Sequence, residues 1–385
     1  MSASNGPIYL DYAATTPVDD EVITAMQRCL GRQGVFGNPA SASHEYGQAA
    51  RGVVEYARSQ VADLVGARPG QIVWTSGATE SNNLALKGVA GPQRGRPVHV
   101  VSSVLEHKAV LDTAAWLAQQ GVAVTLLEPD AQGVIAPAAL KAALRPDTAL
   151  VSLMHVNNET GVINPIAELG AVVREHGALF HVDAAQAAGK LPIDLAQLPV
   201  DLMSFSAHKL YGPKGIGALY VGPRAEPVLQ AQMHGGGHEG GRRSGTLPTH
   251  QIVGMGAAYV LARRRLAQDQ AHIGGLRDAF LAALAELPEV RANAGQAPRL
   301  PNILSLRFEH PAFDPRMLGG VAVSSTSACS SGAGAPSHVL TALGLSADQA
   351  GRTVRFSFGR YSSEQDALSA AAGIRSLLQI LTPTV

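Results

Sequence analysis

Cysteine is scarce. Cys29 and Cys329 are the two in 385 residues, far apart and with no C-x-x-C pair. That argues against a secreted disulfide framework and a thiolate zinc site, and fits a reducing compartment. Excess charge is missing too: Lys+Arg and Asp+Glu number 30 each, so no global field draws in nucleic acid or an anionic membrane. No apolar run approaches the roughly 18 residues needed to span a bilayer. The opening residues lack the basic-then-apolar order of an export signal. A soluble cytoplasmic protein with no membrane or nucleic-acid partner is expected. Two nucleotide signatures are also absent. No G-K-[ST] step follows a spaced glycine, and no G-x-G-x-x-G opens a helix after a strand, which disfavours P-loop and nicotinamide chemistry. His234 and His238 stand among glycines, where no helix would align them, so no metal site is expected.

What is present is enough to fill a core. Hydrophobic residues make up 46% of the chain, and the length suits one large domain and a smaller one. Apolar, β-rich runs at 71–75, 98–103, 122–127, 148–154, 178–183, 201–206 and 217–222 alternate with helical stretches such as 79–90, 107–120, 136–144 and 165–176. Near-continuous apolar strands between helices predict an α/β fold with a mostly parallel, seven-stranded sheet covered on both faces. The texture then changes. A long helical stretch at 249–288 precedes strands at 302–308 and 353–358 and a last helix near 363–380. This predicts a large domain over 17–260 and a small α+β domain from 1–16 plus 261–385.

Five polar stretches stand out, several at strand ends, where α/β sheets bind ligands. Thr75-Ser76-Gly77-Ala78-Thr79-Glu80-Ser81 leaves a strand and opens a helix, which suits a phosphate or an ordinary helix cap. Asp183 ends a strand in Phe180-His181-Val182-Asp183, where a carboxylate can pair with a cationic ring nitrogen or simply cap a turn. Lys209 follows a strand in Ser206-Ala207-His208-Lys209. A desolvated lysine is a carbonyl nucleophile, although most loop lysines are solvated. Lys214, in the next turn, is expected to face solvent. The glycine- and arginine-rich stretch 235–246 also suits a phosphate. Cys329 lies in a run of small polar residues, 323–332, the setting of a reactive thiol on an exposed, mobile loop, whereas Cys29 is read as a small buried hydrophobe.

Together these motifs resemble the cysteine desulfurases of the IscS/NifS type, within the aspartate-aminotransferase-like, fold type I transferases. The resemblance runs from Tyr9-Leu10-Asp11-Tyr12-Ala13-Ala14-Thr15-Thr16-Pro17 to about residue 380. It includes Ser76-Gly77-Ala78-Thr79-Glu80-Ser81-Asn82-Asn83, His155-Val156-Asn157-Asn158-Glu159-Thr160-Gly161, Ser206-Ala207-His208-Lys209, Arg243-Ser244-Gly245-Thr246 and Ser327-Ala328-Cys329, in the family's order. It implies pyridoxal 5'-phosphate (PLP) as cofactor and L-cysteine as substrate. Lys209 is implied to form the internal aldimine and to move the α-proton. Asp183 pairs with the ring nitrogen, and Gln186 and Asn158 orient the ring oxygen. His107 stacks on the ring and acts as acid and base. Ala78, Thr79, Ser206 and His208 hold the phosphate. Thr246 reaches the phosphate of a neighbouring subunit, which implies a homodimer. Asn38 and Arg355 bind the substrate carboxylate, and Cys329 receives the sulfur as a persulfide. An acceptor such as an iron–sulfur scaffold is implied. Two departures are visible. The stretch 309–320 is shorter than the family norm. The chain also stops at Leu381-Thr382-Pro383-Thr384-Val385, where housekeeping relatives carry a longer tail implicated in docking the scaffold, so scaffold binding, or at least its mode, is expected to differ.

Overall fold

The computed structural model describes residues 6–91, 98–324 and 336–381. After a short strand, β1 (Ile8–Tyr9), seven strands build one sheet: β2 (Ile72–Thr75), β3 (His99–Ser103), β4 (Ala123–Leu127), β5 (Thr148–Met154), β6 (Leu179–Asp183), β7 (Leu202–Ser206) and β8 (Gly217–Val221). Their spatial order is β2-β8-β7-β6-β5-β3-β4. The run from β7 to β4 is parallel, while β8 is antiparallel to both β7 and β2. All seven strand runs expected from the sequence are present.

Strand periodicity divides the side chains between two faces. Ile72, Trp74, Val101, Val151, Met203 and Phe205 point into one core, and their neighbours Val73, Val100, Leu150 and Leu202 into another. The first core is closed by α2 (Glu45–Val65), α5 (Pro137–Ala143), α6 (Ile166–His176) and the first half of α7 (Thr249–Leu284). The second is closed by α3 (Ala78–Ala90) and α4 (Lys108–Gln119). A short helix, α1 (Asp20–Gln27), lies against α7.

The outer edge of β2 is covered by a side chain. The buried carboxylate of Glu239 accepts from the Trp74 amide at 2.8 Å and pairs with the buried Arg58 guanidinium at 2.7 Å. An edge N–H is thereby satisfied, and the glycine-rich stretch is tied to the sheet.

Past its midpoint α7 enters a separate core. Phe280 and Leu284 pack there with Leu10, Phe308, Phe356 and Ile374. The framework is β9 (Val290–Ala292), β10 (Ile303–Phe308), β11 (Val321–Ala322) and β12 (Thr353–Ser357), with helices α8 (His338–Ala342), α9 (Ala347–Gly351) and α10 (Glu364–Leu381). Strands β9, β10 and β12 form an antiparallel sheet, and β1 pairs in parallel with β11. The N-terminal stretch therefore starts in this core and crosses to the large sheet, where Ala13 and Thr15 reach a cavity at the strand ends.

The long helix ends at Leu284 rather than near 288. Helix α2 has no counterpart among the stretches expected from the sequence. In its buried stripe, Gly47, Ala50, Val54, Ala57, Val61 and Val65, glycine and alanine break up the valines, so the apolar periodicity is faint. Among the described residues, no helix is long and apolar enough to cross a membrane.

Candidate active site

The parallel strands β5, β6 and β7 end on one edge of the sheet, and their register aligns the ends. Met154 lies opposite Asp183, Asp183 opposite Ser204, and Ser206 opposite Gly217. The segments that leave these strand ends surround a cavity of about 530 Å³, a volume typical of cofactor and small-ligand sites.

One side of the cavity is an anion cradle. Helix α3 begins at Ala78 with Gly77 as its cap, and no side chain caps it. The first-turn amides of Ala78, Thr79 and Glu80 therefore have no intrahelical acceptor and face the cavity that these residues line. Gly77 has φ +153°, and Gly217 of β8 packs so tightly on it that a Cβ at 217 would come within 2.6 Å of the Gly77 Cα. Two glycines thus let the helix start lie against the sheet. Ser206 and His208 line the same cavity. His208 Nδ1 lies 3.1 Å from Thr15 Oγ1. Burial lowers the His208 pKa to about 4, and Lys209, Lys214 and Lys190 push the same way. An anion bound beside it would reverse part of that shift. Glu80 pairs with Arg243 at 2.7 Å and accepts from the Ser76 amide, so a residue of the glycine- and arginine-rich stretch is held at the cradle's rim.

The floor carries a carboxylate. Asp183 is buried, and both of its oxygens accept: Oδ2 from Asn82 Nδ2 at 2.7 Å and Oδ1 from the Ala185 amide at 2.9 Å. Asn82 lies one turn into α3 from Ala78, on the face that meets the sheet. The sequence shows its i, i+4 spacing but not this partner.

Around these groups stand Lys209, His107, Asn158, Gln186 and Arg355. His107 caps α4, its Nδ1 accepting from the Ala109 amide at 3.1 Å. That bond puts the imidazole proton on Nε2. Burial, then the Lys209 ammonium, holds the His107 pKa below its ordinary value, so the ring is neutral near pH 7. The neighbouring Glu106 is fully buried, and burial raises its pKa well above the usual carboxylate range. Arg355 donates from one terminal nitrogen to the Asn158 carbonyl and from the other to Asp11 Oδ1, both at 2.8 Å, while its buried Nε has no protein partner. Arg355 lines the cavity, and a guanidinium there is a suitable partner for a carboxylate.

The site residues expected from the sequence therefore divide. Ala78, Thr79, His107, Asn158, Asp183, Gln186, Ser206, His208, Lys209 and Arg355 line one cavity. Lys214 is exposed, as expected, yet also lines it. Asn38 and Thr246 are exposed and do not line it. The Asn38 side chain instead accepts from the Ala40 amide at 2.9 Å. Cys329 lies outside the described residues, but both flanks of its stretch are anchored near the site. Ser324 Oγ donates to Asp11 Oδ2 at 3.0 Å, Ser337 Oγ donates to Glu159, and His338 Nε2 meets the Glu106 carbonyl at 2.9 Å. Cys29 is buried, which raises its thiol pKa. Asn82, Thr15, Asp11 and Lys190 also make contacts at the site; the first three lie in motifs that assign them no role, and Lys190 lies in none.

The aminotransferase class-V family model matches residues 8–368. The cysteine desulfurase IscS of Pseudomonas entomophila (strain L48) is 54% identical over 367 residues, 95% of this chain and 91% of that protein. Among solved structures, a NifS-like protein matches with a TM-score of 0.89 at 35% identity, over 97% of this chain and 100% of that one. SspA in complex with cysteine matches with a TM-score of 0.82 at 39% identity, over 92% of this chain and 99% of that one.

Proposed function

The chain belongs to the aminotransferase class-V family and, within it, to the cysteine desulfurases, and from that premise we propose how its own residues take sulfur from L-cysteine with PLP. The family is PLP-dependent, and the donor set of this cavity fits that cofactor. The observation that carries the reading is one cavity of about 530 Å³ with a helix-start anion cradle, a buried carboxylate held by two donors, and a strand-end lysine in its lining. Ala78, Thr79, Ser206 and His208 would hold the phosphate. Asp183 would hold the ring nitrogen protonated, and Asn158 and Gln186 would meet the ring oxygen. His107 would lie against the ring, and Lys209 would anchor the aldehyde carbon.

When bound, PLP supplies an electron sink for the bonds at the substrate's Cα and Cβ. Lys209, once released, carries the substrate's α-proton. Arg355 binds the substrate carboxylate, held in place by Asp11 and the Asn158 carbonyl. His107, neutral near pH 7, accepts a proton before it returns one. The Cys329 thiolate attacks the substrate sulfur. An S–S bond forms and the Cβ–S bond breaks. The electron pair stays on carbon, which a proton converts to a methyl group. L-Cysteine and the Cys329 thiol thus become L-alanine and a persulfide on Cys329.

The persulfide passes to an acceptor, such as an iron–sulfur scaffold, in the cytoplasm. Thr246, exposed and outside its own chain's cavity, serves the phosphate of a second copy, so the working unit is a homodimer.

The test is absorbance combined with alanine formation from L-cysteine. The purified protein is expected to show the visible band of bound PLP, and Lys209→Ala to lose that band and at least about 10²-fold of its alanine production. A band and activity that survive in Lys209→Ala would contradict the assignment of the anchoring lysine.

A further inference from the structure

A second lysine lies behind the cavity, and no step of the proposed reaction uses it. Lys190 is half-buried as a residue, with its amine fully enclosed. Its Nζ donates to Gln186 Oε1 at 3.0 Å. The other end of the same amide, Gln186 Nε2, donates to the Ala13 carbonyl at 2.9 Å. An ammonium can only donate and a carbonyl can only accept, so the two partners fix which end of the amide is oxygen and which is nitrogen. One N–H of Nε2 remains, and Gln186 lines the cavity.

The backbone around Lys190 is held as firmly. Gly189 has φ +67°, and a Cβ there would come within 2.5 Å of Leu210. The turn is therefore pressed against the segment that carries Lys209. From the other side, Gln270 of α7 donates to the Lys190 carbonyl at 2.7 Å. Lys190 and Lys209 also share a small cavity of about 40 Å³, whose lining includes Asp269, Gln270 and Asn302. Burial lowers the Lys190 pKa to about 7, and the like charges of Lys209 and Arg355 add to it.

We propose that Lys190 is a positioning residue: it holds the Gln186 amide at a second point, so that the glutamine presents an N–H, and not its oxygen, to the ring oxygen of PLP. The inference rests on the cofactor reading. Without Lys190, the buried Oε1 loses its donor and the amide pivots about its bond to Ala13 to find another.

The readout is the pH midpoint at which the visible band of bound PLP changes. A donor to the ring oxygen stabilises the deprotonated form, so weakening that donor raises the midpoint. Lys190→Met is expected to raise it by about half a unit to one unit, and Gln186→Met by a similar amount. In the double variant the two shifts should not add, because Lys190 acts through Gln186. Lys190→Gln, which keeps a shorter donor, should fall between wild type and Lys190→Met, and serves alone if the methionine variant does not fold. A wild-type midpoint in either Lys190 variant would overturn the proposal, and so would fully additive shifts. A wild-type protein that binds no PLP would overturn the cofactor reading itself, which separates the two failures.

Discussion

Three lysines meet at the strand ends, and burial separates their work. Lys214 is exposed, Lys190 is enclosed behind Gln186, and Lys209 lies between Ser206 and α7. Residue type alone does not distinguish them. Position after a strand marks out Lys209, position at a strand end marks out Asp183, and the family resemblance adds His107. The buried histidines give a separate prediction. His181 is held by Ser152 at 2.8 Å and Ser204 at 2.9 Å, and burial lowers the pKa of both His155 and His181 to about 4. The unfolded chain takes up these protons near pH 6.5. Between the two values the unfolded state binds more protons. The stabilisation is therefore complete above about pH 6.5 and is lost as pH falls toward 4, by up to about 3 kcal/mol per histidine. Denaturant unfolding at pH 7.5 and pH 5 should show the loss, and His181→Gln should lessen it. Equal stability at the two pH values would contradict these buried neutral rings. His155 and His181 sit in ordinary strand and strand-end sequence, and only the packed structure shows that burial has neutralised them.

At the scale of elements, the cradle depends on the contact between α3 and β8. The glycine that permits it, Gly217, lies at a strand start, where the sequence offers no sign of what approaches it. Gly217→Ala would put a Cβ within 2.5 Å of the Phe205 carbonyl oxygen and 2.6 Å of the Gly77 Cα. Backbone must then move, at a cost of about 1–3 kcal/mol. Because the movement displaces the helix start, PLP should dissociate about tenfold more readily, as equilibrium dialysis would show. Unchanged PLP affinity in a destabilised Gly217→Ala would separate the cradle from this contact. The seven strands of the sheet are legible because each is a short, mostly apolar run between helical or turn-forming stretches. Helix α2 is not, because the stripe it buries alternates valines with glycine and alanine, which blurs the apolar periodicity. The edge cover of β2 by Glu239 is equally hidden, since a glycine-rich stretch does not reveal that its one acid turns inward.

At the scale of the molecule, one chain carries a large sheet with a core on each face and a separate smaller core, and the site lies between the sheet and the smaller core. Arg355 comes from β12 beside the smaller core, and its partner Asn158 follows β5 of the large sheet. We propose the division into 17–260 and the remainder on this basis. The Arg355–Asn158 contact joins the pieces, and Asp11, in the same piece as Arg355, pairs with it and accepts from Ser324, the last described residue before the stretch that holds Cys329. No composition or periodicity predicts such a junction, because its members are hundreds of positions apart. The family resemblance names Arg355 and Asn158 and includes Asp11 in a motif, but does not say that they meet. The decisive step is the capture of sulfur by Cys329. Intact-mass analysis of the PLP-loaded protein after one turnover with L-cysteine, without acceptor, reads that step out. One added sulfur atom per chain is expected, mapped to the peptide that holds Cys329, with one alanine formed for each. Alanine formed at the wild-type rate by Cys329→Ala, or the added sulfur on Cys29, would contradict it.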